Sequence, residues 1–208
     1  DEELDAERAT NFRKIGARAN YLAADRPNIM YSVKEICRQM SRPTVGGWKR
    51  LKRLARYLLA RPRTILEYNW QLREYAVEGF SDSDWAGCRR SGKSTSGGVI
   101  KIGEHFIKAW SKTQASITLS SAEAELVAIC KLAAEIIGVG SMAADLGQDL
   151  KVVMHADSSA TIAIAKRRGA GKLRHINIGL LWIQERTMNE EITIKKVKGV
   201  YNPSDMMT

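Results

Sequence analysis

The spacing of apolar residues changes near residue 75. Before it, apolar positions recur at helical intervals. In TVGGWKRLKRLARYLLARP, Trp48, Leu51, Leu54, Ala55, Leu58 and Leu59 fall on one side of a helix, and Lys49, Lys52, Arg53 and Arg56 fall on the other. That helix is predicted to begin after the Gly-Gly pair and to stop at Pro62. Upstream, NIMYSVKEICRQMSR predicts another amphipathic helix between Pro27 and Pro43, its Met and aromatic residues serving as core. From residue 76 the chain reads as short β-rich runs bounded by glycine and turn residues: EGFSDSDWAG, SGGVIKIG and HFIKAWSKTQ. A long helical pattern follows from Ser120 to about Gly147, with a bend expected at Gly138 and Gly140. After it come a buried strand (LKVVMHAD), a helix (SSATIAIAKRR), a helix ending near Asn189, a strand (EITIKKVKG) and the stub NPSDMMT. Three strands in succession, then strand, helix and strand, predict an α/β fold with a mixed sheet flanked by helices.

Composition narrows the class. The 208 residues suffice for one ordinary domain with an appendage, or for two small ones, and the apolar and charged fractions are those of a soluble globular protein. Charges interrupt the apolar runs well before the roughly 20 residues of a membrane span, and DEELDAER is acidic where a secretory signal would be basic and then apolar. No membrane association and a cytoplasmic or nuclear, not secreted, location are expected. Cys37, Cys88 and Cys130 have no C-x-x-C spacing, which suits a reducing compartment and argues against a disulfide frame or a structural zinc site. The net charge of +10 is uneven: residues 1–75 hold 16 Lys+Arg against 9 Asp+Glu, a balance of +7, and five of those acids lie in the first seven residues. A basic N-terminal segment points to a polyanionic partner, with Lys49, Lys52, Arg53 and Arg56 as its candidate contacts, although a solvated helix face explains the same stripe.

Two chemistries overlap in FSDSDWAGCRRSGKSTSGG, residues 80–98. Asp82 and Asp84 close a predicted strand, while Gly87 to Ser94 satisfies the phosphate-loop pattern G-x-x-x-x-G-K-[ST]. A phosphate loop must lead into a helix, whose N-terminus meets the phosphates. Here the next residues, STSGGVIKIG, are β-patterned, so a nucleotide hydrolase is disfavoured and Asp82 is the better candidate, with Asp84 past the strand's end. Asp157 closes a strand too, although it could simply cap the helix that follows. In Ser120-Ser-Ala-Glu123 the spacing is that of a capping box, which occupies Glu123 and leaves Glu125 at the flank of the apolar face, leaning toward the sheet. Asp205 follows Asn-Pro-Ser, a helix-start signature. Three Asp and one Glu, without a His or Cys cluster, make an oxygen-only set suited to Mg²⁺ or Mn²⁺.

FSDSDWAG, KSTSGGVI, AWSKTQ, LSSAEAELVAI, HADSSATIAIAK, LRHINIGLLWIQE and NPSDMMT, in this order and spacing, resemble the ribonuclease H domain that ends the polyprotein of copia-type LTR retrotransposons. The resemblance covers residues 76–208, and residues 11–75 resemble the tract that joins that family's reverse transcriptase to its ribonuclease H. It implies two domains, 1–75 and 76–208. It also implies a ribonuclease H-like five-stranded mixed sheet, with the first three strands antiparallel and the last two parallel to the first. The catalytic and metal-binding set would be Asp82, Glu125, Asp157 and Asp205, holding two Mg²⁺ ions with Mn²⁺ as a substitute and Asp82 between them. The implied activity is hydrolysis of the RNA strand of an RNA/DNA hybrid, and the implied partners are that hybrid and the reverse transcriptase portion of the same polyprotein. Lys93, Lys172, Arg174 and His175 are further candidates for backbone or groove contacts. No Tyr-x-Asp-Asp polymerase motif occurs in the chain, so no DNA synthesis is expected of it. VKGVYNPSD lacks the histidine many ribonucleases H carry before the last aspartate, and the residues after Asp205 are expected to fray. A catalytically idle hybrid-binding module and a nuclease acting on DNA are the alternatives.

Overall fold

The computed structural model describes residues 2–169, 171 and 177–208. The chain forms two compact units, Asp1–Leu66 and Glu67–Thr208. The division lies ahead of the composition change at 75/76, because residues 68–71 are pinned to strands of the second unit. Tyr68 donates its hydroxyl to Phe106 O (2.8 Å), and Gln71 Nε2 donates to Ile102 O (3.0 Å).

The first unit is built from helices α1 (Ala6–Leu22), α2 (Met30–Cys37) and α3 (Val45–Ala60), with a 3-10 turn at Pro27–Ile29 leading into α2. Phe12, Ala19, Ile29, Val33, Ile36, Leu51 and Leu54 form its core. α3 starts earlier than its Gly-Gly pair suggested: Thr44 caps it by accepting from Gly47 N (3.1 Å), so both glycines lie inside the first turn. A Cβ on Gly47 would come within 2.1 Å of Gln39 Oε1, so glycine here permits close packing rather than marking a boundary. The apolar stripe is also narrower than predicted, since Leu51 and Leu54 are buried, Trp48 and Leu58 half-buried, and Ala55 and Leu59 exposed. Buried Arg26 closes the far end of α3, donating from Nη2 to Arg61 O (3.1 Å).

The second unit holds one sheet of β1 (Ala76–Asp84), β2 (Thr95–Ile102), β3 (His105–Thr113), β4 (Lys151–Ala156) and β5 (Ile192–Lys196) in the order β3-β2-β1-β4-β5. β1, β2 and β3 are antiparallel neighbours, β4 is parallel to β1, and β5 is parallel to β4, the sheet that the resemblance implied. Helix α4 (Ser121–Asp145) lies across β1, where Gly79 lets Leu132 and Ile136 approach; a Cβ there would sit 2.6 Å from Leu132 Cδ1. By length and composition α4 could cross a membrane, but Leu126, Ile129, Leu132 and Ile136 are fully buried in the core of this unit. α5 (Ser159–Lys166) and α6 (Trp182–Met188) complete the unit. The predicted helix ending near Asn189 is therefore, over its described part, a 3-10 turn at Ile178–Leu180 followed by α6. Cys37 and Cys88 are half-buried free thiols, and Cys130 is a buried one.

Candidate metal centre

β1 and β4 are parallel neighbours in which Phe80 pairs with His155. Carried two residues further, that register sets Asp82 beside Asp157, just past the end of β4. Helix α4 adds Glu125, whose Oε1 accepts from Ser83 N (3.2 Å). Carboxylate oxygens of Asp82, Glu125 and Asp157 all lie within 4.8 Å of one another. The three acids come from a strand, a helix and a strand end, so the site depends on the whole unit being folded.

Local physics separates these acids from their neighbours. Glu123 is occupied, as the capping box requires: its backbone N donates to Ser120 Oγ (3.2 Å). Its carboxylate accepts from Leu119 N (2.7 Å), one residue upstream of the amide expected. Asp84 is the last residue of β1 rather than past its end, and it accepts from Thr95 N at the start of β2. The cap of α5 is Ser158, which accepts from Thr161 N (3.2 Å), so Asp157 is not spent on that helix. Asp205 lies in a 3-10 turn, Asp205–Met207, and is exposed. It stands outside the cluster of three but near enough to Asp82 to repel it.

The electrostatics are those of crowded carboxylates with too little compensation. Glu125 is pushed up to about 8, by burial first and by the charges of Asp82 and Asp157 next, against the hydrogen bond from Ser83. Burial also raises Asp82, with Asp157 and Asp205 adding to the effect and a hydrogen bond from Thr208 opposing it. Glu125 Oε2 is buried and has no hydrogen-bond partner. An orphaned carboxylate oxygen among two further acids is unfavourable without a cation and fits a hard divalent one.

The terminal segment is anchored where fraying was expected. Asn202, buried, donates from Nδ2 to Ser81 O (2.9 Å) on β1 and accepts at Oδ1 from Ser204 Oγ (2.6 Å). Met207 is buried, and Thr208 Oγ1 donates to Asp82 Oδ2. Asn202 and Thr208 escaped the sequence reading. Asn-Pro announced only a local turn, whereas the partners of Asn202 and Thr208 are 121 and 126 residues away.

The loop that matched a phosphate-binding pattern is engaged otherwise. Gly92 N donates to Cys88 O (2.8 Å), and Ser94, the residue that would meet a nucleotide's metal, is fully buried with its Oγ 3.1 Å from Thr118 Oγ1. The chain then enters β2 rather than a helix. Lys93 is half-buried in this loop, while Lys49, Lys52, Arg53 and Arg56 are exposed on α3 in the other unit. Lys172, Arg174 and His175 lie outside the described residues. The other two histidines have structural partners: His105 Nε2 meets Asn69 O (2.7 Å) and His155 Nε2 meets Glu78 Oε1 (3.1 Å).

No protein-family model matches the chain. Among curated proteins it is 28% identical over 205 residues to the retrovirus-related Pol polyprotein from transposon RE2 of Arabidopsis thaliana, covering 96% of this chain and 14% of that one. Against the Pol polyprotein from transposon TNT 1-94 of Nicotiana tabacum it is 27% identical over 196 residues, covering 93% of this chain and 15% of that one. It thus spans about one seventh of these relatives. A protein described as secreted RxLR effector protein 161 of Plasmopara viticola is 32% identical over 123 residues, 59% of this chain and 86% of that one. Similar solved structures include an N-terminal RNase H domain from Mycobacterium tuberculosis (16% identity, 65% of this chain and 91% of that one, TM-score 0.46). Another is LC11-RNase H1 in complex with an RNA/DNA hybrid (16% identity, 63% of this chain and 92% of that one, TM-score 0.44).

Proposed function

We propose, from the likeness to Pol polyproteins of copia-type retrotransposons over 93–96% of the chain, that the second unit is a ribonuclease H cutting the RNA strand of RNA/DNA hybrids. The observation that carries the reading is the convergence of Asp82, Glu125 and Asp157 around an unpartnered, buried Glu125 oxygen. Mg²⁺ ions held there, or Mn²⁺ in their place, would supply the charge that stabilises the attacking and leaving oxygens of an in-line phosphodiester hydrolysis.

The residues of the chain then have separate tasks. Asp82, Glu125 and Asp157 would hold the cations, and Glu125 would give up its proton to do so. Asp205, carried on the turn that Asn202 fastens to β1, completes the set from the solvent side. Thr208 holds one oxygen of Asp82 in place. Lys93 and the basic face of α3 supply backbone contacts to the hybrid, and discrimination for RNA comes from 2′-hydroxyls in the minor groove. Within a polyprotein, the partner is the polymerase portion of the same chain, and the place of action is the cytoplasmic particle or the nucleus.

The test compares three labelled substrates with Mg²⁺: an RNA/DNA hybrid, duplex DNA and single-stranded RNA. Cleavage confined to the RNA of the hybrid supports the proposal. Cleavage of duplex DNA would make the protein a DNA nuclease, and binding of the hybrid without cleavage would make it an idle module.

A further inference from the structure

An open cavity of about 550 Å³ lies between α2 and α3 in the first unit, away from the acidic cluster in both sequence and unit. Its floor is apolar and fully packed: Ile29 and Ile36 are each 1% exposed and Leu54 6%. Tyr31 and Tyr57 form its walls, and Arg50 and Arg53 stand at its rim. Tyr57 as a residue is 42% exposed, and its hydroxyl accepts from Asn28 Nδ2 (2.7 Å), which restrains the ring's orientation. Arg50 and Arg53 have no acidic partner among the described residues, whereas Glu35, also at the rim, is neutralised by Lys34 (3.0 Å) and Arg38 (3.0 Å). α3 carries no Asp or Glu.

The charge on α3 is arranged in two rows. Arg50, Arg53 and Tyr57 follow one another at i, i+3 and i+7 along the cavity, and Lys49, Lys52 and Arg56 repeat that spacing one position earlier. Each row runs about 10 Å along the helix, and Lys49, Lys52 and Arg56 lie outside the cavity lining, so positive charge continues beside it. A ligand that matches this surface is an anionic chain with flat apolar side groups. An acidic peptide would satisfy the arginines and leave the oriented tyrosine unused. We propose that the α2–α3 cavity binds single-stranded nucleic acid, taking one unpaired base against Tyr57 while Arg50 and Arg53 hold the adjoining phosphates. Stacking on an oriented ring needs no particular base, so the site grips a strand without reading its sequence.

The proposal does not depend on cleavage and can be tested without metal, although it takes Arg53, one of the four candidate hybrid contacts on α3, for the single strand. Binding of a fluorescein-labelled oligouridylate to the full chain is measured in EDTA across a salt series, with an RNA/DNA hybrid and polyglutamate as competitors. Tyr57→Ala should weaken oligouridylate binding about 5- to 150-fold, the loss of one stacked base, with an unchanged salt slope. Tyr57→Phe, which keeps the ring, should retain most of the affinity, and the far-ultraviolet circular dichroism of both variants should match the parent. Arg50→Ala with Arg53→Ala should flatten the salt slope by roughly 0.7 for each phosphate that is no longer neutralised. Unchanged binding by Tyr57→Ala overturns the proposal, as does Tyr57-dependent binding of polyglutamate with equal affinity. Cleavage of the hybrid in Mg²⁺ is read separately on the same variants, so failure of either idea leaves the other standing.

Discussion

Glu125 is the acid of the cluster with a buried, unpartnered oxygen, and its proton makes that measurable. Its folded-state value of about 8 stands above the ordinary 4.5, so between these values the native state holds a proton that the unfolded chain has released. Stability without metal therefore falls as pH rises from about 5 to 8, by at most about 1.4 kcal/mol per pH unit from this group. Thermal melts in EDTA should show that decline, and Glu125→Gln should remove most of it, melting higher than the parent at pH 8 while losing cleavage. Adding Mn²⁺ near neutral pH should release protons, which calorimetry in buffers of different ionisation enthalpy detects. A second residue-level expectation concerns Asn202. Replacement by Ala leaves Ser81 O without its donor and frees the terminal turn, costing about 1–3 kcal/mol and raising the Mg²⁺ concentration needed for cleavage. Asn202→Asp, which restores the acceptor for Ser204 but not the donor for Ser81, should recover only part of that stability.

At the scale of elements, close approach governs what can be changed. A Cβ on Gly97 in β2 would sit 2.8 Å from both Met207 Cβ and the Ser204 carbonyl oxygen, where backbone cannot yield. Gly97→Ala should therefore displace the turn carrying Asp205, destabilise the protein by about 1–3 kcal/mol and weaken metal binding, seen as a lower melting temperature and a shifted Mn²⁺ titration. In the helical unit, Arg26→Ala strips the end of α3 of its guanidinium donor and should lower helicity by circular dichroism without touching the acidic cluster. These elements also mark the limit of sequence legibility. The strands, α4 and its Ser120 cap were readable because period and capping are local, and Glu125 could be told from Glu123 for the same reason. The start of α3 was misread because Gly46 and Gly47 looked like a boundary, while the reason for Gly47, its close approach to Gln39, is tertiary. The fastening of NPSD to β1 was invisible, since nothing near Asn202 in sequence announces Ser81.

For the whole molecule, the two units divide charge and chemistry. The acids that converge lie between Asp82 and Asp157 in the second unit, while the basic stripe of α3 belongs to the first. If the stripe holds the hybrid backbone, neutralising Lys49, Lys52 and Arg56 together should weaken hybrid binding and flatten its salt dependence by roughly 0.9 for each phosphate released from a cation. The rate of cleavage at saturating hybrid should stay unchanged. The central claim is that Asp82, Glu125 and Asp157 form the centre of a ribonuclease acting on hybrids. It is tested most directly by incubating an RNA/DNA hybrid, its RNA strand end-labelled, with the parent protein and with Asp157→Asn, each with Mg²⁺ and with Mn²⁺. Fragmentation of the RNA by the parent, and its absence in the variant, is the expected result; intact RNA with the parent in both metals, or equal cutting by Asp157→Asn, would contradict the account.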